Sequence, residues 1–340
     1  MKKTILALTI PALFATSASA VTVYSDEGAK VDIYGRIQYE AGEMGFKKDK
    51  PNTANNFGGE GEARLGVNVE YALNNDIDLI GKLEWQVVAE GDDATGSDNL
   101  STRYAWAGYR FQDTTELTFG RSQDPIAQVL YLSDIFNIFG GRAGYGEKFE
   151  LSDKVDDQVR VSYAANGLDL RGAYAFSDGY KLEKGGNGSE LDNQWSLSAG
   201  YVFPVGVGIY AAYEQQNVRS PDAKTGRSYD SIDAWFAGAS YTVDGFFLSG
   251  LYTQREQGSD ESKGFELTGT YNVDAWTLLA QYSYEEVEET AKPDFDSIDA
   301  WTLGVQYDLT AKAKLYAEYE INDDDRNTDD RYGLGIQYNF

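Results

Sequence analysis

The fold class is decided by residues 300–309, which read AWTLGVQYDL. Every second residue from Trp301 to Leu309 is large and apolar, whereas the residues between them are small or polar. Residues 331–340 repeat the pattern, with Tyr332, Leu334 and Ile336 separated by glycines. Since successive side chains of a β-strand point to opposite faces, this alternation predicts strands with one apolar and one polar face.

Segments of this kind recur along the chain, and we predict sixteen strands, at residues 30–40, 60–73, 77–90, 101–112, 116–123, 157–165, 168–177, 193–203, 207–218, 230–243, 246–257, 262–271, 275–288, 297–309, 313–323 and 331–340. Short turns such as Asn166-Gly167 and Asp244-Gly245 favour tight hairpins. They mostly alternate with longer connections, at 41–59, 91–100, 124–156, 178–192 and 219–229. Tight turns at one end and long loops at the other are typical of an outer-membrane barrel.

The aromatic residues support a barrel in a membrane over a soluble sandwich, in which the apolar face would point to a core. In five segments two aromatics lie six residues apart on one face: Trp195 and Tyr201, Trp235 and Tyr241, Phe265 and Tyr271, Trp301 and Tyr307, and Tyr332 and Tyr338. At ~3.3 Å per residue and a tilt near ~40°, six residues climb roughly 15 Å. This spacing fits aromatic girdles around an apolar band of ~25 Å.

The first twenty residues resemble a secretory signal peptide. Lys2 and Lys3 precede an apolar stretch, and Ala18-Ser19-Ala20 fits a cleavage site. A buried N-terminal helix is the alternative, but Pro11 interrupts the apolar stretch and strand-like sequence follows it. We therefore predict that residues 1–20 are removed and that residues 21–340 form a single barrel domain.

The composition excludes several classes of function. The chain has no Cys and no His, which excludes disulfides, thiolate metal sites and His-based acid/base, triad or metal chemistry. The net charge of −26 becomes −28 when Lys2 and Lys3 leave with a segment that contains no acid, which argues against nucleic acid as a partner. No apolar run after residue 20 approaches the ~20 residues of a membrane helix, so a membrane-spanning fold must be a closed barrel.

Several motifs resemble those of the general trimeric porins of Gram-negative bacteria. They are the signal-like start, the segments 30–36 (KVDIYGR), 63–66 (ARLG) and 101–103 (STR), and the terminal aromatic residue Phe340, which is similar to the assembly signal of outer-membrane barrels. The resemblance covers essentially the whole mature chain. It implies a sixteen-stranded antiparallel barrel in the outer membrane, insertion by the barrel-assembly machinery, contact with lipid and lipopolysaccharide, and a homotrimer in which the loop around 91–100 reaches a neighbour. It also implies a channel for passive diffusion of small hydrophilic solutes that needs no cofactor.

The resemblance further implies a third loop that folds into the barrel and narrows the pore. The matching stretch, within 124–156, contains the acid Asp134 and the turn Phe139-Gly140-Gly141. In the family a ladder of basic residues on the inner wall opposes the loop, and the matching positions are Arg36, Arg64, Arg103 and, through a looser alignment, Lys154. Facing rows of opposite charge create a transverse field at the narrowest point of the pore.

Two residues of this loop depart from the family pattern. Ile138 stands where the family usually has a glutamate, and Arg142 follows the glycines where an acid is common. Both changes reduce the negative charge of the loop, although Asp124, Glu147 and Glu150 could offset them. We expect a weak cation preference that comes chiefly from the acidic mouth.

Three other functions are alternatives to a general channel. A sugar-specific channel would be an eighteen-stranded barrel with an aromatic track in its lumen, whereas the paired aromatics here share the apolar face. Outer-membrane barrel lipases and proteases rely on a catalytic His, which this chain lacks. Adhesion through the long acidic loops is left open by the sequence.

Overall fold

A computed structural model describes residues 20–44, 57–90, 99–149, 151–176, 190–222, 226–290 and 292–340. The strands are β1 (Val21–Asp26), β2 (Ala29–Glu43), β3 (Gly58–Ala72), β4 (Ile77–Glu90), β5 (Leu100–Phe111), β6 (Thr115–Gln123), β7 (Lys154–Val155), β8 (Gln158–Ala165), β9 (Leu168–Phe176), β10 (Glu190–Val202), β11 (Val207–Asp222), β12 (Gly226–Val243), β13 (Phe246–Gln257), β14 (Asp260–Val273), β15 (Trp276–Glu288), β16 (Phe295–Thr310), β17 (Ala313–Asn322) and β18 (Arg331–Asn339). Two short helices, α1 (Ala127–Leu130) and α2 (Arg142–Tyr145), lie between β6 and β7.

Sixteen of these strands form the wall of a closed antiparallel barrel. Each long strand pairs with the next along the chain, and β18 pairs with β2 through contacts such as Ile336 with Tyr39, which closes the sheet. The other two strands are accessory: β1 forms a hairpin with β2, and β7 adds two residues beside β6. The predicted sixteen-stranded barrel is therefore confirmed, and the eighteen-stranded alternative is excluded.

The predicted strands and turns match the observed ones closely. Asn166 and Gly167 both have positive φ, 51° and 85°, and Asp244 and Gly245 have 44° and 85°, as a tight hairpin turn requires. The predicted loop at 219–229 is mostly strand, because β11 and β12 continue to pair up to Asp222 and Gly226. Strand pairing uses backbone groups, so a polar hairpin can extend into water beyond the apolar band.

The aromatic side chains form two belts on the outer face. In the upper belt Trp195 and Trp235 both pack on Tyr213, with ring centroids 5.0 and 4.3 Å away. In the lower belt the centroids of Trp276 and Tyr307 are 4.6 Å apart. The recurrent spacing of six residues therefore marks two levels of one outer surface, as membrane girdles require.

The first strand, β1, and the last residue, Phe340, both pair with β2. Val21, the first residue of β1, pairs with Ile33, and Phe340 exchanges two backbone hydrogen bonds of 3.0 Å with Gly35. A side chain at Gly35 would collide with the Phe340 ring, since an added Cβ would lie 2.4 Å from its Cζ. The predicted signal peptide lies outside the described residues, apart from Ala20.

Among the described residues, no helix is both long and apolar enough to span a membrane.

Candidate functional site

The connection between β6 and β7, residues 124–153, lies against the inner wall of the barrel. Its first part is apolar, and Ile126, Leu130 and Leu132 are fully buried against Phe236 and Leu251 on the inner faces of β12 and β13. Burial of each large apolar side chain stabilises the docked loop by about 1.5–3 kcal/mol. The inner wall is therefore not polar throughout, and the apolar run at 126–132 is the sequence signal that marks its covered part.

Asp124 fixes the start of this loop. Its fully buried carboxylate accepts hydrogen bonds from the Ile126 backbone N–H at 3.0 Å and from Gln158, Gln194 and Ser196 on the barrel wall at 3.2, 3.1 and 2.9 Å. Burial raises the pKa of Asp124 to about 6, and these hydrogen bonds limit the rise. Asp124 therefore anchors the loop and does not present a charge to the lumen, where the sequence had suggested that it could act.

We expect Asp124 to make stability depend on pH. The folded protein holds its proton more tightly than the unfolded chain, so stability is highest below the ordinary pKa of 3.8 and falls as the pH rises to about 6. Asp124→Asn should remove this fall, of about 1–3 kcal/mol. Thermal unfolding in detergent across this pH range measures it, with the exposed Asp294→Asn as control. Parallel pH profiles for wild type and Asp124→Asn would contradict the expectation.

Glu318 on β17 holds the middle of the loop. Its buried carboxylate accepts the backbone N–H groups of Asn137 at 2.7 Å, Ile138 at 3.0 Å and Phe139 at 2.9 Å. Hydrogen bonds to an ionised acceptor are stronger than neutral ones, and here one carboxylate satisfies three consecutive donors. Glu318 is thus a positioning residue that sequence reasoning missed.

The predicted turn Phe139-Gly140-Gly141 follows directly. Gly140 and Gly141 have φ of 137° and 64°, and an added Cβ at Gly140 would come within 2.9 Å of Phe136. Glycine is required here by both the backbone conformation and the close approach. Phe139 is buried, with the Arg331 guanidinium 5.1 Å from its ring.

The two residues that depart from the family pattern both contact the wall. Ile138 packs towards β18, since a Cβ added to Gly333 would lie 2.6 Å from its Cδ1. Arg142 pairs with the buried Glu320 at 3.1 Å and with Glu147 at 3.6 Å. Arg142 therefore joins a cluster in which Glu320 also pairs with Arg331 and Glu147 also pairs with Arg326, which could not be foreseen from the loop sequence alone. Glu150, the other acid expected to offset it, lies outside the described residues.

The last part of the loop is clamped by charged residues of β13 to β15. Glu266 accepts the Ala143 N–H at 2.9 Å, and Glu285 accepts the Glu147 N–H at 2.9 Å. The fully buried Arg255 donates to the Ala143 carbonyl at 2.9 Å and pairs with Glu285 at 3.2 Å. The loop is therefore held along its whole described length.

On β2 to β5, the inner face carries one continuous network of charged and polar side chains. Its members are four cations, two carboxylates and one amide: Arg36, Arg64, Lys82, Arg103, Glu62, Glu84 and Gln86. Glu62 binds Arg36 at 2.5 Å and Arg64 at 3.0 Å, while Glu84 binds Arg103 at 2.7 Å. The Gln86 oxygen accepts from Arg64 at 2.8 Å and Arg103 at 3.1 Å, which joins the two halves.

A bulge in β5 places Arg103 in this network. Tyr104 pairs with Glu84 and Thr102 pairs with Trp85, so that Arg103 has no partner between them. Because a bulge shifts the alternation by one residue, Arg103 and Tyr104 can both face inward. Lys82, which sequence reasoning missed, lies beside them with its Nζ 4.3 Å from the Tyr104 ring centroid.

Lys154 and Asp134 complete the arrangement. Lys154 on β7 forms an ion pair with Asp153, and its Nζ lies 5.7 Å from the Tyr104 ring centroid. Asp134 in the loop accepts a hydrogen bond of 3.0 Å from the Tyr145 hydroxyl. Burial raises the pKa of Asp134, while Tyr145 and the positive charges of Lys154 and Arg103 act in the opposite direction. Lys154 and Arg103 are both residues of the predicted ladder.

Comparison with known proteins gives consistent matches. A family model described as Gram-negative porin matches residues 7–329. Similar curated proteins include outer membrane protein F of Serratia marcescens, 26% identical, and porin-like protein L of Photobacterium profundum, 27% identical, each aligned over 100% of both chains.

Solved structures with a similar fold include a Salmonella typhi OmpF complex with daunomycin, with a TM-score of 0.78 at 16% identity over 94% of this chain and 100% of that one. Vibrio cholerae OmpT in its trimer form has a TM-score of 0.71 at 22% identity, and an anion-selective porin from Comamonas acidovorans has 0.72 at 16%; each comparison covers 92% of this chain and 100% of the other. Porins are passive channels of the outer membrane and not enzymes, in agreement with the sequence analysis. With a family model that spans most of the chain, this protein belongs to the Gram-negative porin family.

Proposed function

We propose that this porin is a general diffusion channel for small hydrophilic solutes and ions, with its constriction between the loop at 124–153 and the wall of β2 to β5. The observation that supports this proposal is a loop held inside a closed barrel by Glu318 and Glu266, together with Arg103 in the charged network of the wall. Arg36 and Arg64 extend the basic side along the wall. Opposite charges across a narrow aqueous path orient dipolar solutes and disfavour large apolar ones.

The remaining predicted residues take supporting roles in this proposal. Phe139, Gly140 and Gly141 shape the turn of the loop, while Ile138 and Arg142 hold it to the wall. Passage needs no cofactor and no conformational cycle, because solutes move down their own gradients. Conductance of the purified protein in a planar bilayer tests the proposal, and a protein that forms no ion-conducting pore would refute it.

We expect a weak cation preference, with a permeability ratio of roughly two- to fivefold at low salt. The mature chain has a net charge of −28, and exposed acids at the loop ends such as Asp294, Asp323 and Asp325 concentrate counter-ions there. The reversal potential under a salt gradient measures this preference. It should decrease at high salt, where surface charges are screened, and a clear anion preference would contradict it.

We also propose a homotrimer. The outer face of β3 to β5 carries Ala63, Gly81, Ala105 and Ala107 beside large exposed side chains such as Leu65, Leu83 and Tyr109, and an apolar surface suits contact with another subunit. The loop at 91–98, expected to reach a neighbour, lies outside the described residues. Chemical crosslinking in detergent distinguishes a trimer from a monomer.

In the cell, we propose export with removal of residues 1–20 and insertion by the barrel-assembly machinery through a signal that ends at Phe340. The aromatic belts would contact outer-membrane lipid, with lipopolysaccharide against the upper one. N-terminal sequencing of the protein from outer membranes should give Val21 first.

A further inference from the structure

Of the four cations in the inner-wall network, Lys82 is the one that no family motif accounts for. Its Nζ lies between two aromatic rings, 4.3 Å from the Tyr104 centroid and 5.3 Å from the Tyr34 centroid. Its nearest carboxylate oxygen, on Glu84, is 3.8 Å away. Because aromatic faces attract an ammonium group without neutralising it, the rings fix the position of this charge and leave it available.

Glu84 is shared by two cations, so its single negative charge cannot balance both Lys82 and Arg103. One of its oxygens accepts the Tyr34 hydroxyl at 2.5 Å, and the other accepts Arg103 Nε at 2.7 Å. The side chain of Glu84 is 7% exposed, whereas those of Lys82 and Arg103 are each 24% exposed. The carboxylate therefore lies behind the two cations, which reach the water of the lumen.

The whole network likewise has more positive than negative side chains. It contains four cations and only two carboxylates, so its net charge is two positive, and Gln86 connects its halves without adding charge. The neighbouring Lys154 is neutralised by Asp153. A patch with two excess positive charges, built from guanidinium forks and one ammonium, suits an oxyanion that carries two negative charges.

We propose that this network is a binding site for small dianions, such as inorganic phosphate or a short dicarboxylate. Lys82 is the residue that raises the net charge of the network from one to two positive. This inference rests on the proposed function, because it requires that the network line the aqueous path. It adds to that function the retention of dianions inside the barrel, whereas the cation preference arises at the mouth. Since the site is open to water, its affinity is weak, and bound anions exchange rapidly with the lumen.

Single-channel recording of the full protein tests the site, with inorganic phosphate as the probe. Phosphate at millimolar concentration should lower the chloride-carried conductance at constant ionic strength, under conditions where phosphate is doubly charged. Lys82→Gln should raise the half-blocking concentration about fivefold, the effect of losing one partly exposed charge. Lys82→Arg should preserve the block, because it keeps the charge between the rings.

The matched control is Lys263→Gln, which removes the same charge from the outer face of β14 and should leave the block unchanged. A conducting channel that phosphate does not block, or an equal block in wild type and Lys82→Gln, would overturn the dianion site alone. A protein without conductance would overturn the proposed function and the site with it.

Discussion

Replacing Glu318 by leucine should raise single-channel conductance by roughly 1.5-fold or more and admit larger solutes. The substitution removes the acceptor of three consecutive backbone N–H groups, at Asn137, Ile138 and Phe139. Each buried donor left without a partner costs about 1–3 kcal/mol, so the docked loop loses several kcal/mol in all. The segment around the glycine turn should then detach from β17 and cease to hold the constriction in one position.

The measurement combines planar-bilayer conductance with uptake of sugars of increasing size into liposomes. Glu116→Leu is the control, because it also removes a carboxylate from the inner wall, but one that pairs with Arg110 on β5. Heat-modifiable migration on gels shows whether each variant has a folded barrel. A folded Glu318→Leu protein with wild-type conductance and size limit would show that the loop does not depend on this carboxylate.

The barrel could be predicted from the sequence because its determinants are local. Alternation fixes which face of each strand is apolar, and turns such as Asn166-Gly167 fix where each hairpin reverses. The exception at 219–229 is also physical, since polar composition indicates exposure to water and not the end of strand pairing. Closure of the barrel could also be predicted, because an open sheet edge would leave unpaired backbone groups in the membrane.

The site was less predictable because its partners are distant in sequence. Asn137 and Glu318 are 181 residues apart, and nothing in either segment indicates that the backbone of one meets the side chain of the other. The bulge that places Arg103 beside Glu84 depends on pairing between two strands. Lys82 follows the strand alternation and could have been assigned to the lumen, yet only the structure places Tyr34 and Tyr104 around it.

Contact with the wall also changes how the loop charges are understood. In the sequence, Arg142 puts a positive charge where the family commonly has an acid. In the structure, this arginine forms ion pairs with Glu320 and Glu147. Asp124, read as an acid of the loop, is buried behind it. The positive charges of Lys154 and Arg103 act on Asp134, and both residues belong to the predicted ladder. The selectivity of the constriction should therefore depend mainly on the wall.

Neutralising Arg36, Arg64 and Arg103 together to glutamine should shift selectivity strongly towards cations. The network then keeps Lys82 against Glu62 and Glu84, so its net charge changes from two positive to one negative. Three charges in a confined lumen, each worth a few tenths of a kcal/mol after screening, raise the cation-to-anion permeability ratio by roughly tenfold. The reversal potential under a salt gradient measures the shift.

The control is the triple variant Lys263→Gln, Lys292→Gln and Lys312→Gln. It removes an equal charge from the outer face, a loop and a turn, and should change the permeability ratio far less. Equal shifts in the two triple variants would mean that overall charge, and not this wall, governs selectivity.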